Sequence, residues 1–254
     1  MNRVFITGAS SGLGRALAQQ YAASGATLGL LGRREDALRE LAASLPGEHR
    51  CYAVDVRDRA ALHAAAADFI AFCQGRVDVV IASAGISAGT LTEHGEDYDV
   101  FKAIVDTNLL ATVATFEPFV GAMRAAGAGR LVGIASVAGV RGLPGAGAYS
   151  ASKSAVVTYC ESLRLELAAA GIRVVTIAPG YIKTAMTAKN PYSMPFLMEA
   201  DAFAQRAHAA IERGTSYKVI PWQMGVVAKL MRLLPNAVYD KLACNAPRKP
   251  RKAE

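Results

Sequence analysis

The chain has little cysteine and none of it is grouped. Cys51, Cys73, Cys160 and Cys244 are scattered over 254 residues with no CxxC pair and no Cys/His cluster. That spacing argues against a disulfide framework and a zinc site, and fits a reducing cytoplasm. No uninterrupted apolar run approaches the ~18 residues of a membrane span, and the start, "MNRVFITGAS", enters a strand pattern without signal-peptide architecture. The expectation is a soluble cytoplasmic protein. Charge is sparse, at 19% of residues against 52% hydrophobic, so there is material for a large core and little that reads as disordered. Internal repeats and linkers are absent too, which favours one domain over residues 1–254. Acidic residues are the minority, leaving a net charge of +7. Much of that excess lies in "APRKPRKAE", whose plainest reading is a solvated, mobile tail over residues 245–254. No nucleic-acid partner is expected.

What is present is an alternation. Apolar runs "RVFIT", "ATLGLLG", "RCYAVDV", "VDVVIASAG", "GRLVGIAS", "IRVVTIAPG" and "YKVIP" are separated by helix-period segments at 14–23, 35–43, 59–74, 98–126, 149–170 and 199–213. Runs apolar on both faces and separated by helices imply a parallel sheet covered on both sides, a doubly wound α/β (Rossmann) fold of about seven strands. One long irregular stretch, "YIKTAMTAKNPYSMPFLM", follows a strand's carboxyl end. With the helix after it, it makes 181–215 a candidate substrate lid, against the plainer reading of a connection.

"VFITGASSGLGRALA" runs from strand to helix through Gly8, Gly12 and Gly14. Glycines at this spacing allow a sharp turn and let a pyrophosphate approach main-chain N–H groups at the helix's positive end. A tight βα turn alone would explain one glycine but not three. In such sheets ligands sit beyond the strands' carboxyl ends, and the unusual residues cluster there: Arg33, Asp55, Ala84 and Gly85, Ser136, and Pro179 to Thr184.

With "TGASSGLG", "DV", "AG", a central asparagine, a serine, Tyr149-x-x-x-Lys153 and "PG" all in order, the sequence resembles the compact branch of the short-chain dehydrogenase/reductase family over roughly 2–184. The resemblance implies hydride exchange between a nicotinamide and a carbonyl or alcohol, a reaction whose hydride the cofactor carries. Tyr149 becomes the expected proton donor. A free tyrosine has a pKa near ~10, and a neighbouring ammonium favours phenolate, so Lys153 at i+4 on the same helical face is expected to lower it. By the same resemblance Lys153 also bonds the nicotinamide ribose, Ser136 bonds the substrate oxygen, and Asn108 holds a water linking the lysine to solvent. Ser10, Ser11 and Leu13 join the glycine turn at the phosphates. Asp55 and Val56 line the adenine, while Ala84 and Gly85 border the cofactor. Pro179, Gly180, Ile182 and Thr184 contact the carboxamide or its phosphate.

After the second strand the chain reads Gly32-Arg33-Arg34, where NAD enzymes commonly place an acid. An arginine fork suits a 2′-phosphate, so the cofactor is expected to be NADP(H), with Arg33 the main ligand and Arg34 second. One departure stands out: relatives commonly read Asn-Asn-Ala-Gly after the fourth strand, and this chain has Ala82-Ser83-Ala84-Gly85. Serine lacks an amide's reach and second donor, which puts local support of the sheet in question.

Met186, Tyr192, Met194, Phe196, Leu197 and Met198 could mould to an apolar ketone, aldehyde or acyl-chain carbonyl, or simply cover the core. The segment from Pro221 onward is partly amphipathic. Packing on its own domain is preferred there over subunit or peripheral membrane contact. The resemblance implies a homodimer or homotetramer through the long helices. Two other readings compete: a nucleotide-binding sensor or scaffold without turnover, and an isomerase or epimerase acting through a keto intermediate. The Ser136–Tyr149–Lys153 set argues against the first and the short chain against the second.

Overall fold

The computed structural model describes residues 2–188, 190 and 192–251. Lys189 and Pro191 of the lid candidate, and 252–254 of the tail, lie outside the described residues. Seven strands form one sheet in the order β3-β2-β1-β4-β5-β6-β7. They are β1 (Arg3–Thr7), β2 (Thr27–Gly32), β3 (His49–Ala53), β4 (Val79–Ala82), β5 (Gly129–Ile134), β6 (Ile172–Pro179) and β7 (Tyr217–Ile220). Every pairing is parallel. Strand order reverses between β1 and β4, which opens a crevice at their carboxyl ends.

The period of two along each strand splits the core into two layers. Val4, Ile6, Leu28, Leu30, Val79, Ile81, Val132 and Ile134 face α1 (Gly12–Ala23), α2 (Glu35–Ser44) and α8 (Ala200–Arg213). Phe5, Leu31, Val80, Leu131 and Val174 face α3 (Arg59–Phe72), α5 (Ala111–Phe116), α6 (Val120–Ala126) and α7 (Gly147–Leu167). Phe5 centres the second layer, its ring 4.9 Å from Phe119 and 5.5 Å from Phe69. The edge strand β3 is only half-buried, because it has a neighbour on one side only.

The segment 98–126, expected as one helix, is broken. α4 (Asp97–Val105) passes into a π-turn at Asp106–Leu110, then α5, a 3₁₀ turn at Glu117–Phe119 and α6. Pro118 lies within the 3₁₀ turn, where its missing N–H cannot serve a continuous α-helix. Two helices close the chain, α9 (Trp222–Leu233) and α10 (Asn236–Ala243).

Two expectations need correction. The lid candidate does not extend to 215, since α8 buries Phe203, Ala204, Ala207 and Ile211 in the core. The loop before it has its two ends joined: Lys183 N–H donates to the Met198 carbonyl (2.9 Å) and Met198 N–H to that of Tyr181 (3.0 Å). The tail is not free either, as far as Arg251. Its guanidinium donates to both carboxylate oxygens of Asp97 (2.8 and 3.0 Å) and to Glu96 (2.7 Å), while Gly89 N–H donates to the Pro250 carbonyl (3.0 Å). Arg251 finds carboxylates at the start of α4, and local composition does not reveal partners that distant. Among the described residues no helix is long and apolar enough to cross a membrane.

Candidate active site

The crevice at the strand reversal is a cleft of about 880 Å³. Its floor is the β1–α1 turn. Gly8 (φ +70°) and Gly12 (φ +55°) take the left-handed backbone that side chains disfavour. A Cβ on Gly8 would lie 2.8 Å from the Ala84 Cα, and one on Gly14 would strike the Gly8 carbonyl. Turn, helix start and β4 end are thus pressed together because these positions lack side chains. Ser11 precedes α1 with an extended backbone and makes no side-chain cap, so the helix's first N–H groups remain open toward the cleft. A pyrophosphate fits that cradle without displacing a side chain.

At one end of the cleft Arg33 and Arg34 follow β2. Arg34 donates to the Ser10 carbonyl (3.0 Å) and hydroxyl (3.4 Å), which holds it over the turn. Asp55 is gripped by Arg57 through Nε (3.1 Å) and Nη2 (2.7 Å), and that grip holds its carboxyl below the usual range. Arg57 also lines the cleft and was missed from sequence, since an arginine two residues past an aspartate carries no distinguishing signal.

At the other end three side chains meet. Ser136, at the end of β5, is buried and accepts from Ala138 N–H (3.1 Å). Tyr149 and Lys153 project from the first turns of α7. The Lys153 ammonium is buried and donates to the Ile134 carbonyl (2.7 Å), 5.9 Å from the Tyr149 ring centre. Burial lowers its pKa to about 8. Burial likewise raises the Tyr149 phenol, with hydrogen bonding from Ser136 pulling the other way. The expected lowering of Tyr149 by Lys153 is therefore not what the geometry produces: desolvation outweighs it, and the ammonium's hydrogen bond goes to a backbone carbonyl.

All the expected cofactor-contact residues line this cleft, with Ser136, Tyr149 and Lys153. Asn108 does not. It is fully buried behind the wall, in the π-turn, accepting from Ile86 N–H (2.9 Å) and donating to the Ile86 carbonyl (3.0 Å) and Ser152 hydroxyl (3.0 Å). Ser152 in turn donates to the Tyr149 carbonyl (2.9 Å). The Asn108 side chain ties the β4–α4 loop to α7, and its amide oxygen, which accepts from Ile86 N–H, keeps a second acceptor site. Thr112 donates to the Asn108 carbonyl (2.9 Å), the remaining polar group there. Ser152 was missed; it lies in "YSASK" itself, three residues after the tyrosine on the same helix.

Ser83, where relatives place asparagine, keeps the main-chain link, its N–H donating to the Thr7 hydroxyl (3.2 Å). Its own hydroxyl is buried without a partner among the described residues. The sheet is held there by Thr7 and not by the residue-83 side chain. Of the lid side chains Met186 lines the cleft, Met198 packs on the core, and Phe196 and Leu197 face solvent.

A doubly wound parallel sheet whose glycine turn opens on the crevice at the strand reversal defines the dinucleotide-binding class of α/β proteins. The pattern of the short chain dehydrogenase family matches residues 2–194. An uncharacterized oxidoreductase from Myxococcus xanthus is 38% identical over 243 residues, 94% of either chain. One from Mycobacterium tuberculosis is 39% identical over 249 residues, covering 95% of this chain and 97% of that one. The crystal structure of a short-chain dehydrogenase from Streptomyces avermitilis superposes with a TM-score of 0.80 at 25% identity, covering 95% and 96% of the two chains. The chain belongs to the short-chain dehydrogenase family of oxidoreductases, whose members use a nicotinamide cofactor.

Proposed function

We propose that the protein is an NADP(H)-dependent oxidoreductase acting on a carbonyl compound or the corresponding secondary alcohol. The observation that carries this reading is the meeting of Ser136, Tyr149 and Lys153 at one end of a cleft whose other end holds Arg33 and Arg34. The nicotinamide, when bound, supplies or accepts the hydride. The chain's own residues then have to orient one oxygen and move one proton. Ser136 polarises that oxygen by hydrogen bonding, and Tyr149, kept protonated by burial, delivers the proton in the reducing direction. Lys153 carries the positive charge that steadies the phenolate left behind.

The preference for the phosphorylated cofactor rests on Arg33 and Arg34, which follow β2 at the place where a ribose-binding acid would stand. We place the enzyme in a reducing cytoplasm, consistent with four free cysteines. A homodimer or homotetramer would cover the apolar Tyr98, Phe101, Leu110 and Leu165, which are exposed along α4 to α7.

The test is a carbonyl panel followed by nicotinamide absorbance with NADPH and NADH in parallel, on the parent and on Arg33→Asp. NADPH should be preferred by the parent, and the variant should lose roughly 10- to 100-fold in NADPH affinity, as expected for a charged hydrogen-bonded contact made repulsive. Equal use of both cofactors by the parent would overturn the preference. Cofactor binding with no turnover across the panel would overturn the enzymatic reading.

A further inference from the structure

The docked tail brings a second ammonium to the reacting end of the cleft. Lys249 Nζ lies 5.7 Å from the Tyr149 ring centre and donates to the Ser87 hydroxyl (2.9 Å). Tyr149 and Ser87 both line the cleft, so Lys249, which touches both, stands beside its reacting end. The side chain is half-buried, yet among the described residues no carboxylate lies within ion-pair distance of it. Other tail contacts explain how it is held. Arg251 grips Asp97 and Glu96, Gly89 pairs with Pro250 and Arg251, and the Arg248 stem lies against Gly145. Asp97 also accepts from Leu91 N–H (2.8 Å), which fixes the carboxylate that fixes the tail. Among the described residues the carboxylates near this segment are thus taken by Arg251, and Lys249 has the Ser87 hydroxyl and the face of Tyr149.

Holding an ammonium half out of water against a hydroxyl and a ring face leaves its charge unmatched, and an anion would complete the site. One ammonium and one hydroxyl make a short two-donor edge, which suits the two oxygens of a carboxylate. A phosphate monoester, with three charged oxygens, is more often met by arginine forks or several cations. Ile86 and Ala88, which flank Ser87 in the cleft lining, would offer apolar contact to the carbon chain between the two polar ends.

We propose that Lys249 is a specificity-determining residue that receives a carboxylate on the substrate, making the natural substrate class an oxo acid or the matching hydroxy acid. The proposal rests on the reading of the site as a carbonyl/alcohol oxidoreductase.

It is tested with the full-length protein on 4-oxopentanoate, 5-oxohexanoate and 6-oxoheptanoate, each beside its methyl ester, using the nicotinamide the enzyme accepts. At one chain length or more the acid should exceed its ester at least ten-fold in kcat/KM. Lys249→Met should lower that acid-to-ester ratio ten-fold or more, with Lys249→Arg restoring part of it. Arg251→Ala, which releases the clamp without touching Lys249, should lower the ratio through KM. A ratio that is the same in the parent and Lys249→Met overturns the proposal, while ester turnover in that case leaves the oxidoreductase reading standing. If none of the six compounds is turned over, calorimetric titration of the same three acids into cofactor-saturated protein decides. Binding that is lost in Lys249→Met supports the proposal, and binding absent or equal in both overturns it.

Discussion

At the scale of single residues the site is governed by desolvation. Tyr149 and Lys153 sit where charge is costly, so the phenol holds its proton and the lysine gives up its own near pH 8. Phe in place of Tyr149 should leave cofactor affinity within about three-fold and lower carbonyl reduction by roughly 10²- to 10⁴-fold, the usual share of a positioned acid. Single-turnover kinetics with a separate cofactor titration would measure both, and parental turnover by the variant would remove Tyr149 as donor. The lysine sets the sign of a pH dependence. Its folded pKa is depressed, so the cation needed beside the forming phenolate is present below about 8 and lost above it. The rate of reduction, followed from pH 6 to 10 at saturating cofactor, should therefore fall through a limb near 8. A flat profile across that range would mean that the ammonium's charge does not enter the slow step.

At the scale of elements, the β1–α1 turn and the β4–α4 loop are locked to each other by absent side chains. Gly14→Ala would drive a methyl into the Gly8 carbonyl within a helix's first turn, and a few kcal/mol of destabilisation is the scale for such overpacking against backbone. Chemical denaturation should show a loss of about 1–3 kcal/mol together with loss of nicotinamide binding. A variant as stable as the parent would mean that the turn can shift. This turn was legible in the sequence because its constraint is local: glycine spacing, a preceding strand and a following helix all fall within fifteen letters. The break in 98–126 was not. A π-turn at Asp106–Leu110 places Asn108 against Ile86 and Ser152, partners 22 and 44 residues away, and no helical periodicity encodes them. The catalytic expectation for "YSASK" comes from the family resemblance, and its spacing supplies only that Lys153 shares a helical face with Tyr149. The direction of Tyr149's pKa was misjudged, because burial, unlike spacing, belongs to the folded molecule.

At the scale of the whole molecule the carboxyl-terminal segment acts as a strap from α10 back to the mouth of the cleft. α10 is itself held, with Tyr239 donating to the Gly142 carbonyl (2.5 Å) and Arg141 lying 4.0 Å over the Tyr239 ring. Asp97→Asn should leave the fold intact and weaken the grip of Arg251, raising the rate at which trypsin cleaves after Arg248 by several-fold, as read by intact mass over time. An unchanged rate would show that the β-like pairing with Gly89 suffices. Because Asp97's carboxyl is held below its ordinary pKa by Arg251, the strap's ionic contact is present at neutral pH and fades as acid carries the solution through that depressed value. Packing of this region on its own domain is the plainest reading of its sequence, and Tyr239 and Arg141 make such contacts. Its destination was not legible, since Arg251 and Asp97 are 154 positions apart and charge pairing at that distance has no local signature.

A practical asymmetry between the two ends of the polypeptide follows from that strap. A purification handle or fluorescent reporter fused behind Glu254 would begin four positions beyond Arg251, close to the strapped end of the cleft. The same cargo placed ahead of Asn2 would emerge at the amino end of β1, on the far rim of the sheet. Kinetic comparisons made with the two fusions should therefore disagree, and the one labelled at its beginning would report the undisturbed enzyme.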